Sequence, residues 1–319
     1  MKTPILLVTF NRPLHTSETI KALSVQHPEL VYVFQDGPRK NNKADEQNCM
    51  QVREVVEKMI DWPCELHTYY SDKNRGCRDA IIYAISEVLK SHESVIVVED
   101  DIITSPAFLS YMSKALEYYK DRKSVFSISG HSHSPERFRV PDDYVYDVFA
   151  SPRLFNWGWA TWRDRWEQAD WSFSYYDEFL KHGEEIRAFC RGGDDLLPML
   201  VEEHEGHSSA WDIQFAFAHF ANHAVSIVPC ISYTHNIGMD GSGTHCYDAK
   251  AAGFDISVLN QNKNPRFLDN LYFDARIINA LYSVFTFKKR PLWQKMINRI
   301  ARKMGRKPPF VIKKKVFLC

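Results

Sequence analysis

Short apolar runs alternate with segments of helical periodicity along the first part of the chain. The strand-like segments are Ile5–Phe10, Leu30–Gln35, Glu65–Tyr70, Val95–Val98 and Val125–Ser129, and the continuous apolar run Val95–Val98 predicts a buried strand. The segments between them predict helices at Ser17–Leu23, Asp45–Ile60, Arg78–Lys90 and Pro106–Tyr119. Alternation of this kind is typical of an α/β fold in which right-handed crossovers build a parallel sheet.

Polar residues follow most of these strands at the point where each one ends. They are Asn11-Arg12, Asp36-Gly37, Ser71–Arg75 and Glu99–Asp101. In open α/β sheets, ligands bind outside the carboxyl ends of the strands. The pattern therefore predicts that these four groups converge on one crevice.

A carboxylate triplet closes the fourth predicted strand. The apolar run Val95–Val98 is followed at once by Glu99, Asp100 and Asp101. These side chains repel one another, so they require a positive partner. One interpretation is a solvated turn in which Asp101 and Thr104 cap the next helix. The other is a Mg²⁺ or Mn²⁺ site completed by phosphate oxygens.

The second half of the chain is less regular and contains a tryptophan-rich segment, "FNWGWATWRDRWEQADW" at 155–171. Its large rings are ordinary core residues in one interpretation. In the other, Trp157, Trp159 or Trp162 stacks on a ligand. Gly158, between two tryptophans, favours a tight backbone near a ligand.

Two further segments carry candidate chemistry. "SSAWDIQFAFAHFANH" predicts a helix that Ser208 or Ser209 caps. "NIGMDGSGTHC", at 236–246, is rich in glycine and forms either a structural turn or a lid over the donor.

Composition narrows the class of protein. The 319 residues suffice for one large α/β domain or two small ones. Seven scattered cysteines without Cys-x-x-Cys spacing indicate neither a zinc knuckle nor a disulfide framework, so we expect a reduced, cytoplasmic setting. Neither a P-loop nor a G-x-G-x-x-G after the first strand occurs.

The net charge of zero conceals an asymmetric distribution. Residues 288–319 hold 12 of the 40 Lys and Arg and none of the 40 Asp and Glu, so the body is acidic by 12 and the tail basic by 12. This pattern disfavours nucleic-acid binding by the body. Around Trp293–Met304 the tail predicts a basic amphipathic helix that either binds an anionic membrane surface or packs on the acidic body. In the first case we expect a peripheral position on the inner face of the membrane.

Five segments together resemble nucleotide-sugar glycosyltransferases of the GT-A fold, and in particular N-acetylglucosaminyltransferase I and its relatives. They are "PILLVTFNRP", "VYVFQDG", "VIVVEDDIITSPAFLSYM", "FNWGWATWRDRWE" and "AWDIQF". The resemblance covers roughly residues 4–245 and is distant. It implies a GT-A-type, mostly parallel sheet flanked by helices, with a nucleotide-sugar-binding half at 1–130 and an acceptor and catalytic half at 131–250. Residues 251–319 are expected to form a helical extension with a basic tail.

The resemblance implies roles for the residues at the strand ends. Asp101 matches the ligand of the metal, Mn²⁺ or Mg²⁺, that bridges the donor diphosphate. Asp100 and Glu99 would contact the hydroxyl groups of the donor ribose and sugar. Asp36 would hold the uridine, with Arg12 beside it.

The resemblance also implies roles in the second half. Asp212 matches the general base, Trp211 is its companion, and His245 lies near the diphosphate or the metal. Trp157 and Trp159 belong to a segment that lies at the active site in relatives. The helix dipole favours an ionised Asp212, although a helix-start Asp that caps backbone N–H groups is the structural alternative.

One position departs from the family pattern. A basic residue is expected a dozen positions after the "WD", where this chain has Asn222 and His223. Arg75, Arg78 or His245 is then the candidate for neutralising the donor phosphates.

The sequence and the resemblance therefore predict a metal-dependent glycosyltransferase. We expect it to move a sugar from a nucleotide diphosphate donor, a UDP-sugar, to a glycan or lipid-linked acceptor. A single carboxylate base with direct attack inverts the anomeric carbon. Two alternatives are a sugar nucleotidyltransferase of related fold, which usually has a Gly-rich basic N-terminal loop, and a non-catalytic sugar- or metal-binding module.

Overall fold

A computed structural model describes residues 2–240, 258–286 and 297. An eight-stranded sheet runs through it in the order β3-β2-β1-β4-β8-β6-β9-β7, and β5 and β10 form a separate two-stranded sheet. The strands are β1 Ile5–Thr9, β2 Leu30–Gln35, β3 Glu65–Tyr70, β4 Ser94–Glu99, β5 Ile102–Thr104, β6 Val125–Ser129, β7 Val148–Ser151, β8 Trp159–Trp162, β9 Val225–Pro229 and β10 Thr234–Asn236.

Helices connect and cover these strands. They are α1 Pro13–Ser24, α2 Lys43–Met59, α3 Cys77–Leu89, α4 Phe108–Tyr119, α5 Arg163–Trp166, α6 Tyr176–Phe179, α7 Gly183–Phe189, α8 Leu196–His204, α9 Trp211–Ala221 and α10 Ala275–Phe285, with a 3-10 turn at Cys190–Gly192. Among the described residues, no helix combines the length and the apolar composition that crossing a membrane requires.

The sheet is buried on both faces because alternate residues of its central strands enter different cores. In β1, Ile5 and Leu7 pack with α1, α2 and α4, whereas Leu6 and Val8 pack with α3 and α9. Burial of each aliphatic side chain contributes about 1.5–3 kcal/mol. The α/β class and the mostly parallel sheet flanked by helices are thus confirmed.

The direction of the strands divides the sheet into two parts. Strands β1 to β4 are neighbours and run parallel, which brings their carboxyl ends to one edge in the order β3, β2, β1, β4. Beyond β4, the strand β8 pairs antiparallel with both β4 and β6, and β7 pairs antiparallel with β9. The sheet is therefore parallel in its first half and mixed in its second, where β6 and β9 are again parallel.

The start of α9 differs from the predicted one. Ser208 and Ser209 do not cap this helix, because the N-cap position is Ala210, whose methyl side chain cannot accept a hydrogen bond. Instead the carboxylate of Glu203, at the end of α8, accepts the N–H of Ala210 at 2.6 Å. A side chain that is distant in sequence thus replaces the local cap.

Candidate active site

The carboxylate triplet lies where β4 ends. Glu99 is the last residue of the strand, and Asp100 and Asp101 form the turn into β5. The Arg12 guanidinium, from the loop after β1, donates from Nη2 to Asp100 Oδ1 and to Asp101 Oδ2, the latter at 2.9 Å. The backbone N–H of Phe10 donates to the other oxygen of Asp100 at 3.2 Å.

Arg12 is therefore a positive partner of the triplet within the protein itself. The helix-cap interpretation of Asp101 and Thr104 is wrong: Thr104 lies in β5, and α4 begins at Phe108 after Ala107. The triplet faces a cleft and not a helix terminus.

Burial and mutual repulsion shape the protonation of the triplet. Burial, together with the charges of Asp101 and Asp100, raises the pKa of Glu99 to about 8. Burial also raises the pKa of Asp100, although the charge of Arg12 opposes it. One carboxyl group of the three can thus hold a proton near neutral pH.

Asp36 holds a loop together. Its two carboxylate oxygens accept the backbone N–H groups of Gly37, Arg75 and Gly76 and the side-chain amide of Asn74, at 2.9–3.1 Å. A carboxylate offers about four acceptor positions, so these donors saturate it. A contact between Asp36 and uridine, which stays a prediction, would have to displace some of these donors, and the Arg12 guanidinium lies on the triplet.

Both arginines expected to neutralise phosphate have other partners. The Arg75 guanidinium packs over the ring of Tyr83, 3.9 Å from its centroid. Arg78 donates from Nε to Gln214 Oε1 at 2.6 Å and lies 3.2 Å from the carboxylate of Glu203. Of the three arginines predicted to bind donor, the structure thus places Arg12 against the triplet and directs the other two elsewhere.

Asp212 lies in the first turn of α9. Its Oδ1 accepts the N–H of Ile213 at 2.9 Å, which favours the ionised form. Burial is the larger influence and raises the pKa of Asp212 to about 6. The helix terminus thus favours the ionised form as expected, but burial outweighs it, because the carboxyl group loses more hydration than the terminal N–H groups restore.

The Cys77 thiol connects the two halves of the site. It begins α3. Loss of hydration among the surrounding groups and the charges of Glu99, Asp212 and Asp101 all raise its pKa. Asp212 also raises the pKa of Glu99, so the predicted base and the triplet lie close enough to interact electrostatically.

The tryptophans are core residues. Trp159 is wholly buried in β8 and stacks on Trp211 with 5.0 Å between ring centroids. Trp157 is also buried and contacts His131, with 4.4 Å between centroids. Stacking on a sugar requires an exposed ring face, so the structure contradicts a donor contact for Trp159 and Trp211 and gives Trp157 little surface for one.

The chain passes very close to Asp101 again at Gly238, two residues after β10. The N–H of Ile237 donates to the Asp101 carbonyl at 2.9 Å. A Cβ atom at Gly238 would lie 2.1 Å from Asp101 Oδ2 and 2.8 Å from Arg12 Nη1. Only glycine fits here. The rest of the Gly-rich segment, His245 included, lies outside the described residues.

Comparison with known proteins identifies the family. The profile of the GNT-I family matches residues 3–192, more than half of the chain. The chain belongs to the GNT-I family. This member is thus a nucleotide-sugar-dependent glycosyltransferase, as the resemblance of its motifs to N-acetylglucosaminyltransferase I predicted. No curated protein matches the chain in sequence.

Solved structures share only a distant similarity with this GNT-I family member. UDP-glucose pyrophosphorylase complexed with UDP-glucose is 10% identical, with 72% of this chain and 90% of that chain covered and a TM-score of 0.36. The galactosyltransferase LgtC in complex with donor and acceptor sugar analogs is 10% identical, with 68% and 70% covered and a TM-score of 0.35. A 4-diphosphocytidyl-2C-methyl-D-erythritol synthase from Anaerococcus prevotii is 14% identical, with 57% and 77% covered and a TM-score of 0.31.

The carboxylate oxygens near Arg12 fit a metal site that the protein shares with phosphate and water, and not one that protein ligands alone complete. Within residues 2–240 and 258–286, no group of three or more His, Cys, Asp or Glu side chains is arranged to hold a metal ion. Asp101 Oδ1 accepts no hydrogen bond from any described residue. One carboxylate oxygen without a donor among the described residues suits Mg²⁺ or Mn²⁺, which usually take one or two protein carboxylates and complete their shell with phosphates and water.

Sequence reasoning missed several residues of this glycosyltransferase site. Glu203 holds the start of α9, and Gly238 gives Asp101 its space. Buried Arg153 forms a two-point ion pair with Asp195 at 2.8 Å, and its charge lowers the pKa of Asp212 against burial. The glycines of the "NIGMDGSG" segment could have indicated a close backbone approach such as that of Gly238. The sequence gives no indication of the Arg153–Asp195 ion pair, because its partners lie far apart.

Gly238→Ala should distort the carboxylate turn. The added Cβ cannot coexist with Asp101 Oδ2, so Asp101 or Arg12 must move, at a cost of about 1–3 kcal/mol for an overpacked position. We expect a lower free energy of unfolding in urea and weaker binding of UDP with Mn²⁺ by calorimetry.

Gly183→Ala provides the matched control. A Cβ there meets only the tip of Arg187 at 3.7 Å, which is ordinary contact, so both measurements should stay near wild type. Wild-type stability and nucleotide affinity in Gly238→Ala would contradict the packing described for Asp101.

Proposed function

We propose that this GNT-I family member transfers a sugar from a UDP-sugar to an acceptor hydroxyl with inversion, using a divalent metal ion. Asp212 is the general base, and Asp101 is the metal ligand. The observation that carries this proposal is the proximity of Asp212 to the carboxylate triplet. Trp211, the neighbour of Asp212, stacks on Trp159, which pairs with Val97 of β4 two residues before Glu99. A base beside a cation site provides the two elements that direct sugar transfer requires.

The protonation of Asp212 supports its role. A pKa of about 6 leaves the carboxylate mostly ionised at neutral pH and still basic enough to take a proton efficiently. Arg153 and the N–H of Ile213 limit the increase that burial causes. The pKa of the base thus lies close to neutral pH, where a general base is most effective.

The proposed reaction balances as a single displacement. Asp212 accepts the proton of the acceptor hydroxyl while the hydroxyl oxygen forms a bond to the anomeric carbon. The bond from that carbon to the donor phosphate oxygen breaks, and its electron pair leaves with the UDP. Attack from the face opposite the leaving group inverts the configuration.

Arg12 and Asp101 would act on the leaving group. A Mg²⁺ or Mn²⁺ ion held by Asp101 would supply positive charge to the departing diphosphate. The Arg12 guanidinium lies on the same two carboxylates and is the described arginine best placed to add to that charge. Glu99 would contact donor hydroxyl groups from the end of β4.

Asp101→Ala should abolish the binding of UDP that depends on Mn²⁺, because the variant loses the only carboxylate oxygen proposed for the ion. Isothermal calorimetry with UDP, with and without Mn²⁺, measures this directly. Asp121→Ala is the control, since this exposed residue lies just before the start of β6 and not at the strand ends that carry the triplet. Unchanged Mn²⁺-dependent affinity in Asp101→Ala would refute the metal assignment.

Asp212→Asn should keep donor affinity and lose transfer by about 10²–10⁴-fold, the usual contribution of a general base. The amide is nearly isosteric but cannot accept the proton. In the wild type, kcat/KM should fall as pH drops through about 6, because protonation of Asp212 removes the base. Both are measured as UDP release in the presence of acceptor.

Asp177→Asn is the matched control for the base. It is an exposed aspartate in the first turn of α6, so transfer should be unaffected. Transfer by Asp212→Asn at close to the wild-type rate would place the base elsewhere.

The tail is proposed to bind an anionic membrane surface, where a lipid-linked acceptor would be presented. The support is the charge pattern, with 12 Lys and Arg and no acidic residue in 288–319. Of the predicted helix the structure describes Ile297, which is helical and 39% exposed. Each basic residue near such a surface contributes about 1 kcal/mol.

Deleting residues 288–319 should abolish co-sedimentation with vesicles of phosphatidylserine and phosphatidylcholine while leaving transfer to a soluble acceptor intact. Vesicles of phosphatidylcholine alone are the control. Equal sedimentation of the truncated and full chains would remove the proposal.

A further inference from the structure

A buried polar network surrounds the start of α9. Glu203, at the end of α8, is buried and accepts the N–H of Ala210 at Oε2. Its other oxygen, Oε1, lies 3.2 Å from Nε of Arg78, at the start of α3. One carboxylate thus joins the ends of three helices.

Arg78 extends this network along α9. Its Nε donates to Gln214 Oε1 at 2.6 Å, and Nη2 donates to the carbonyl of Trp171 at 3.2 Å. Gln214 is buried and donates to the same carbonyl at 3.1 Å. Arg78, Glu203, Gln214 and the Trp171 carbonyl form a set of mutually bonded groups, which we call the α9 network.

The α9 network holds α9 on both sides of Asp212. Ala210 precedes the carboxylate by two residues and Gln214 follows it by two, and each is bonded to the network. Arg78 also directly follows Cys77, which lies close enough to Glu99 and Asp101 for their charges to raise its pKa. The network therefore connects the helix of the proposed base to the surroundings of the triplet.

We propose that Arg78 and Glu203 are positioning residues that fix the direction of the Asp212 carboxylate in the cleft. This inference rests on the proposed role of Asp212 as the base. Misplacement of a reacting group by about 1 Å can cost about 10²-fold in rate, so a rigid attachment of α9 has a direct catalytic effect.

The burial of the network supports a role beyond stability. Glu203 is buried and the Arg78 side chain is only 25% exposed, so their ion pair is largely desolvated, which is costly. Apolar side chains of similar size often stabilise a fold at least as well. Charged, directional hydrogen bonds fix geometry better than apolar contacts do. The carboxylate of Glu203 also lies close enough to raise the pKa of Asp212.

Several charged groups face Asp212 from the elements around it. They are Glu203 from α8, Arg153 from the loop before β8, Glu99 from β4 and Cys77 from α3. Removing the charge of Glu203 takes away one influence that raises the pKa of Asp212 and leaves the others in place. The acid limb of the pH profile then reports on the network.

Glu203→Gln tests the proposal with little change in shape. Glutamine has one acceptor oxygen, so it must lose its contact either with Ala210 or with Arg78. We expect kcat to fall about 10- to 100-fold, with the Kd for UDP and Mn²⁺ unchanged. The acid limb of kcat/KM should move to lower pH, which a merely structural role would not cause. Glu205→Gln is the control, because this exposed carboxylate pairs with His207.

Arg78→Lys gives a second, independent reading. Lysine keeps the charge but cannot make the contacts with Gln214, Glu203 and Trp171 in one geometry. A fall in kcat at unchanged UDP affinity supports positioning. Weaker UDP binding at unchanged kcat would instead make Arg78 a phosphate ligand and overturn the proposal, even if Glu203→Gln did not fold.

The test separates this proposal from the assignment of the base. If Asp212→Asn is inactive while Glu203→Gln keeps the wild-type kcat and pH profile, the positioning role fails alone. If Asp212→Asn retains transfer, the assignment of the base fails, and the inference fails with it.

Discussion

Repulsion among three carboxylates at the end of one buried strand is the constraint on which the site depends. Glu99, Asp100 and Asp101 cannot all be ionised in a cleft without nearby positive charge. Arg12 provides it and thereby ties the turn after β4 to the loop after β1. The same tight packing requires glycine at position 238. Electrostatic balance thus sets the positions of three chain segments at once.

The first half of the fold was predictable because its signals are local. The runs that became β2 and β3 were predicted with their observed bounds, since continuous apolar or β-branched segments mark such strands. Strands of three or four residues, such as β5 and β8, carry too few residues to show a periodicity. The carboxylate triplet at the end of β4 was also predictable, because its three residues are adjacent in the sequence and directly follow an apolar run.

Side-chain partnerships were not predictable, because they depend on tertiary contacts. Arg78 bonds to Gln214 across 136 positions, and nothing in the local sequence distinguishes it from an arginine that binds phosphate. The same holds for Asp36. Residues 74–76 donate hydrogen bonds to its carboxylate only because the fold brings the ends of β2 and β3 together. The resemblance to the family supplied candidate residues, and packing decided which of them remain open to a ligand.

The position of Arg12 has a consequence for how a metal ion and a nucleotide would bind. A divalent ion on Asp101 would add two positive charges next to the Arg12 guanidinium. Two unit charges about 4 Å apart repel by about 4 kcal/mol at the effective dielectric constant near a protein surface, and a divalent ion doubles this cost. A diphosphate offers negative charge to both cations and removes most of this cost. Metal and donor should therefore strengthen each other's binding, and by linkage the effect is the same in both directions.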